Sequence, residues 1–532
     1  MLSVLTNSLR LARAGLYLSW HGVHVAPEAM IAPGPMTVFR RITAPLRRAA
    51  GRARLDQASR LSKALARLGP SYIKLGQFLA TRPDVIGQDL AADLSGLQDR
   101  LPPFSTAEAR RIVEASLGKP VDVLFASFGD PVAAASIAQV HRATVLDPDG
   151  TLRPVAVKVL RPGVETRFRH DLNSFYFGAR LIEKLYPPSR RLRPIAVVDM
   201  LAQWVGLEMD LRMEAAAMSE MAENIAKAGD KGFRVPRVDW ARTSTNVLTQ
   251  EWVGAMPIAD LAAIDAAGID RQALGTLVIR SFLRHAMRDG FFHGDMHQGN
   301  LFVSREGEIA AVDFGIMGRL GAKERRFLAE ILYGFIIRDY RRVAEVHFEA
   351  GYVPASQDVA AFAQALRAIG EPLQDRTAGE ISMGRVLAQL FEVTEMFDME
   401  TRPELLLLQK TMVVVEGVAR SLDPQINMWT AAEPVVRDWM ENELGPGARL
   451  RQAAEGAASI LGALAAAPKL AEQAARAGQA LNGPNGGGLR LDDESVERLA
   501  AAQARRGAGG RFALWLGAAA LTAIAAKMWL NL

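Results

Sequence analysis

The chain has 532 residues, 49% of them hydrophobic, with 63 Lys and Arg against 58 Asp and Glu for a formal net charge of +5 and no cysteine. A polypeptide of this length holds about three or four domains with a sizeable core. The missing thiol excludes a disulfide framework, thiolate zinc, iron–sulfur clusters and a cysteine nucleophile, so any metal must be held by oxygen or imidazole. The small net charge makes no case for nucleic acid as a partner; where the arginines gather matters more.

At the start of the chain Leu2, Leu5, Leu9, Leu16 and Trp20 recur at helical spacing with Arg10 and Arg13 among them, and Arg40, Arg41, Arg47, Arg48, Arg52 and Arg54 follow as a basic run. An amphipathic helix followed by cations suits an anionic membrane surface. Further on, Pro131 to Val140 is a run of small residues expected between two strands. Backbone N–H groups cradle phosphate only where no bulky side chain intervenes, which makes Val132, Ala133, Ala134, Ala135, Ser136, Ile137, Ala138, Gln139 and Val140 a candidate phosphate loop. Residues 155 to 159 (VAVKV) predict a β-branched strand presenting Lys158. A helix running from about Val197 supplies Glu214 as the candidate carboxylate to hold that lysine. Residues 247 to 253 predict the strand and hinge between two lobes.

The densest motif is FHGDMHQGN at 292–300, followed by a D-F-G at 313–315. Asp295 and Asn300 have the D-x-x-x-x-N spacing of a kinase catalytic loop. Mg²⁺ requires hard oxygen ligands, which Asn300 and Asp313 provide, and Asp295 is left to orient or deprotonate an attacking hydroxyl or water. Lys158 then neutralises the nucleotide phosphates. His293 and His297 are read as residues that order the loop by packing and hydrogen bonding. No G-x-G-x-x-G precedes these motifs, and neither A-P-E nor a long activation segment separates Gly315 from the helical pattern that resumes near Lys323. Near the end, residues 481–489 read as a flexible linker. Phe512 to Leu530 is apolar except for Thr522 and Lys527, with Trp515 and Trp529 toward its two ends and Arg505, Arg506 and Arg511 before it. That pattern predicts a transmembrane helix with the body of the chain in the cytoplasm.

Together with Lys74–Leu75–Gly76–Gln77 in the phrase Leu68 to Phe104, and with Glu208–Met209–Asp210, these motifs resemble the UbiB family of atypical, protein-kinase-like proteins. The resemblance spans about Ser62 to Arg319. It implies an α+β, two-lobed kinase-like fold with an N-terminal helical extension lying over the usual peptide site. The expected parts are an extension at 1–103, an N-lobe at 104–253, a helical C-lobe at 254–444, a linker region at 445–510 and a transmembrane helix at 511–530. The resemblance further implies that Lys74 and Gln77 reach into the active site with Glu208 and Asp210 as partners, and that ATP binds at Lys158. In the same way it implies Asp295 as the catalytic carboxylate and Asn300 and Asp313 as Mg²⁺ ligands. Either Glu208 or Glu214 is compatible in spacing with a pairing to Lys158. The implied role is ATP-dependent support of ubiquinone biosynthesis at the bacterial inner membrane, acting with polyprenylphenol quinone precursors or with quinone-biosynthesis enzymes. Two alternatives stand beside it: a nucleotide-locked scaffold for those enzymes, and a small-molecule phosphotransferase of the aminoglycoside or choline kinase type, whose H-G-D-x-H-x-x-N loop this chain also matches.

Overall fold

The computed structural model describes residues 2–20, 57–80, 101–185, 193–374 and 403–445, with a few isolated positions between them. The chain divides into two units, Met1–Glu443 and Leu444–Leu532; the architecture below is that of the first. The basic run at 40–54, the expected linker at 481–489 and the expected membrane segment at 511–530 lie outside the described residues. Among the described residues no helix is long and apolar enough to cross a membrane.

The extension contributes α1 (Leu2–Trp20), α2 (Gln57–Leu68) and α3 (Pro70–Ala80). Leu65, Leu68, Tyr72 and Ile73 form its core with Ala14 of α1. Gly69 makes the corner between α2 and α3 at φ +106°, and a Cβ there would lie 2.2 Å from Arg167 Nη2. Only glycine accepts both that conformation and that close approach. Helices α4 (Thr106–Leu117) and α5 (Val121–Leu124) then cover a four-stranded antiparallel sheet in the order β1 (Ser127–Ala134), β2 (Ala138–Leu146), β3 (Leu152–Leu160), β5 (Val247–Glu251). Alternation decides the faces of β3. Val155, Val157 and Val159 pack with Val113, Val121, Leu124 and Phe125 beneath the helices, so the intervening Lys158 emerges on the opposite face.

Between β3 and β5 run α6 (Val164–Leu185), α7 (Pro194–Glu208) and α8 (Leu211–Ala228). The sequence pattern predicts one helix from Val197 through Glu214; the chain instead breaks at Met209–Asp210, where Asp210 takes extended backbone angles and its carboxylate accepts a hydrogen bond from Arg212 N at the head of α8. The short strand β4 (Phe233–Arg234) leads to β5 and onward into the C-lobe. There β6 (Met256–Pro257), α9 (Leu261–Ala266) and α10 (Arg271–Arg284) precede β7 (Phe291–His293), β8 (Leu301–Val303), β9 (Ile309–Ala311) and β10 (Met317–Arg319). Strands β4, β9, β8 and β6 form one small sheet, and β10 pairs antiparallel with β7. Helices α11 (Ala322–Ile336), α12 (Tyr340–Glu349), α13 (Val359–Gln374), α14 (Pro403–Leu422) and α15 (Met428–Leu444) complete the lobe. Its core unites Phe282, Phe292, Met287 and Phe314 with Val415, Val418 and Leu422 of α14.

Candidate functional site

Three carboxylates and two lysines meet where the lobes and the extension converge. Lys158 Nζ donates to both Glu214 oxygens at 2.9 Å and to Asp313 Oδ1 at 2.8 Å. Lys74 Nζ lies 2.8 Å from Glu208 Oε2 and 5.5 Å from the Trp204 ring centroid. The helix break between α7 and α8 explains the division of partners: Glu208 ends one helix and Glu214 opens the next, and both are buried. Asp210 departs from expectation. Its carboxylate pairs with Arg212 and caps α8, while Lys74 pairs with Glu208. Gln77 Oε1 lies buried with no hydrogen-bond partner among the described residues.

Burial works against the charge on Lys158, but Asp313 and Glu214 outweigh it and raise its pKa above the ordinary lysine value. The Lys158 ammonium holds Asp313 well below the usual carboxylate range, and Lys74 adds to the effect. Lys158 is therefore a cation and Asp313 an anion throughout the physiological range. Asp313 sits at φ +62°, a left-handed conformation that Asp tolerates better than most residues. Its side chain is 51% exposed, so the carboxylate opens onto the cleft while still bonded to the lysine.

The catalytic-loop motif is set by backbone contacts. Gly294 N donates to Ile316 O at 2.8 Å, and Asp295 N donates to His293 Nδ1 at 3.1 Å. His293 is fully buried. With Nδ1 accepting, its Nε2–H donates to Val312 O at 3.2 Å, and burial pushes its pKa down, so both ring nitrogens are engaged in ordering the loop. His297 Nδ1 accepts from Gly299 N at 2.9 Å. Asn300 Nδ2 donates to Asp295 O at 3.0 Å, which turns the amide oxygen of Asn300 away from that bond. Asp295 itself is 28% exposed.

The Ala-rich segment separates into two parts. Val132 and Ala133 are exposed, whereas Ser136, Ile137, Ala138 and Gln139 are buried. Ala135 N bonds to Ala138 O at 2.8 Å, closing the expected tight turn. The Gln139 side chain is buried and bonded inward: its Oε1 accepts from Phe104 N at 2.9 Å and its Nε2 reaches Phe104 O and His141 Nε2. Ile137 belongs to the apolar core. Two groups that the sequence pattern did not single out steady this region. Arg161 donates to Ala135 O, Pro102 O and Leu101 O, tying the turn to the end of the extension. Arg319 of β10 pairs with Glu220 of α8 and lies 4.4 Å from the Phe291 ring centroid, anchoring the helix of Glu214 to the strand that follows the D-F-G. Neither arginine stands in a recognisable motif.

Helix α14 also reaches the loop. Thr411 Oγ1 lies 3.0 Å from Gly294 O, and Gln298 Nε2 donates to Ser421 Oγ at 2.8 Å.

The ABC1 atypical kinase-like domain profile matches residues 96–347, and the UbiB helical domain profile matches 366–427. A probable protein kinase UbiB from Marinobacter nauticus is 42% identical over 398 residues, covering 74% of this chain and 72% of its own length. One from Xanthomonas axonopodis pv. citri is 40% identical over 435 residues, covering 80% and 78%. Among solved structures, that of Rv3197 from Mycobacterium tuberculosis in complex with erythromycin is similar with a TM-score of 0.51 and 26% identity, covering 75% of this chain and 98% of that one.

Proposed function

Because the chain belongs to the UbiB family of atypical kinases, we propose that it is a membrane-associated, ATP-dependent phosphotransfer enzyme that supports ubiquinone biosynthesis. The observation that carries the reading is the meeting of Lys158, Glu214 and Asp313, drawn from a strand, a helix and a loop, beside the loop of Asp295 and Asn300. Pairing of a strand lysine with a helix carboxylate beside a D-F-G aspartate is the arrangement that phosphoryl transfer from ATP needs.

In this reading Lys158, fixed by Glu214, meets the α- and β-phosphates. The oxygen donors of Asn300 and Asp313 fit Mg²⁺ and would hold it as a hard cation that prefers oxygen ligands. When bound, that ion supplies charge neutralisation on the transferring phosphoryl group. Asp295, with its backbone immobilised and its carboxylate reaching the cleft, orients a water or a phenolic hydroxyl and takes up its proton as the oxygen attacks the γ-phosphorus and the bond from that phosphorus to the bridging oxygen breaks, releasing ADP. Positioning and electrostatics provide most of the acceleration in such a transfer. Turn residues Val132 to Ala135 lie along the triphosphate, and Gln77 and Lys74 bring the extension to the same cleft in place of a peptide. Physiological partners are polyprenylphenol quinone precursors or quinone-biosynthesis enzymes. Leu9 and Leu16, 63% and 46% exposed on α1, support contact with an anionic bilayer, and the apolar segment at 511–530 supports an inner-membrane anchor with the body in the cytoplasm.

The test is ATP turnover by the full chain on anionic liposomes containing a phenolic quinone precursor. Wild type is expected to turn over, and Asp295→Asn and Asp313→Asn to lose roughly a hundredfold or more. Nucleotide binding with no turnover in any of the three would instead favour a nucleotide-locked scaffold. In a deletion strain an early polyprenylphenol should accumulate and be cleared by wild type but not by Asp295→Asn; normal ubiquinone in that strain would refute the pathway assignment.

A further inference from the structure

The peptide carrying Asp295 has four backbone polar groups in its immediate frame, and each has a partner. Gly294 N bonds to Ile316 O, Asp295 N to His293 Nδ1 and Asp295 O to Asn300 Nδ2. Those three partners lie within the kinase-like stretch 96–347. The fourth group, Gly294 O, is met by Thr411 Oγ1 at 3.0 Å, and Thr411 lies in the helical-domain stretch 366–427. We propose that Thr411 is a positioning residue for Asp295, so that the helical domain supplies the anchor on Gly294 O that completes the hold on the Gly294–Asp295 peptide, whose N–H the kinase-like domain already holds.

Local geometry makes the grip specific. Thr411 is fully buried, so its bond is not diluted by solvent. Its hydroxyl carries one proton and has two carbonyls within reach, Gly294 O at 3.0 Å and Leu407 O of its own helix at 2.8 Å. Docking of α14 against the loop therefore draws on a proton that a solitary helix directs only to its own carbonyl. Gly294 permits the approach: a Cβ there would lie 2.9 Å from Ile316 Cγ2 and 3.2 Å from Leu407 Cδ1. The far end of the loop is held by the same helix, where Gln298 Nε2 donates to Ser421 Oγ and Ser421 Oγ in turn donates to Val418 O at 2.7 Å. One helix thus holds the loop at both sides of Asp295. A displacement of a reacting group by about 1 Å lowers rates by on the order of a hundredfold, so rotation of this one peptide is enough to matter.

The inference rests on the phosphotransfer reading of the site, and its test separates the two. In the full chain, Thr411→Val keeps the shape of the side chain and removes its donor. Turnover should fall on the order of ten- to a hundredfold while affinity for an ATP analogue stays within about twofold, since no nucleotide-facing group changes. Thr411→Ser, which restores the hydroxyl, should recover most of the rate. Amide hydrogen exchange in peptides spanning 291–300 should rise in Thr411→Val and return toward wild type in Thr411→Ser. If wild type has no more turnover than Asp295→Asn, the enzymatic reading fails, and exchange in this peptide alone decides whether Thr411 positions the loop. Should Thr411→Val not fold, Ser421→Ala releases the Gln298 end and should show the same pattern more weakly. Unchanged exchange and unchanged turnover in a folded Thr411→Val or Ser421→Ala variant would overturn the proposal.

Discussion

Glu214 is 7% exposed and depends on one lysine for its ion pair. Removing one partner of a buried pair leaves the other charged and desolvated, a loss of about 3–5 kcal/mol. Lys158→Met should therefore lower stability toward denaturant by about that amount, and Lys158→Met combined with Glu214→Leu should recover much of it, while neither variant binds nucleotide as wild type does. Additive losses in the double variant would show that Glu214 has another partner in the folded chain. Lys158, Asp295, Asn300 and Asp313 were legible at this scale because each stands at fixed spacing in a motif with a chemical reason. The choice between Glu208 and Glu214 was not: both belong to one apolar-periodic stretch, and only the break at Met209–Asp210 assigns the first to Lys74 and the second to Lys158. The inward turn of the Gln139 side chain was not legible for a related reason, since small neighbours do not reveal which side chains are buried.

Among elements, the ladder of β7 and β10 ties the catalytic loop to the segment after the D-F-G. Gly318 faces Phe292 there, and a Cβ at Gly318 would lie 2.1 Å from Phe292 Cζ, in a ring that is fully buried. Gly318→Ala should cost about 1–3 kcal/mol through overpacking, read as a lowered thermal midpoint, and Phe292→Leu in the same chain should relieve part of it. An unaltered midpoint would mean that the ladder yields without strain. The strands β3 and β5 were readable from β-branched alternation, whereas the strands of the second small sheet, two or three residues each, are too short to carry a period. Helix α14 was readable only as part of a helical lobe. Its bond to Gly294 joins residues 117 apart, and no local pattern marks Thr411 as the side chain that makes it.

Across the whole molecule, His141, His285, His293 and His347 are all driven toward the neutral form by burial. For His285 the pKa falls to about 4 from an ordinary 6.5. Between those values the unfolded chain binds the proton and the folded chain does not, so the stabilisation is complete above about pH 6.5 and is lost as the pH falls toward 4. His285 alone accounts for up to about 3 kcal/mol. The urea midpoint should decline steadily from pH 7 to pH 4.5, and a midpoint that rises over that interval would contradict the assignment. The two-lobed kinase-like fold was legible through the family resemblance that the motifs carry. How the extension closes on that cleft depends on contacts such as Arg161 with Leu101, Pro102 and Ala135, which no periodicity encodes. The bond from Lys158 to Asp313 joins the sheet of one lobe to a loop of the other, and on the proposed ATP reading it would set the lobes in competition with the nucleotide. On that reading an entering phosphate would exchange with the carboxylate for an ammonium proton, and the apparent affinity would be the intrinsic affinity reduced by the work of that exchange. Neutralising the competitor should reverse the usual effect of damaging such a site: in the presence of a chelator, Asp313→Asn should bind metal-free ATP more tightly than wild type, and weaker binding by titration would show that the exchange does not govern entry.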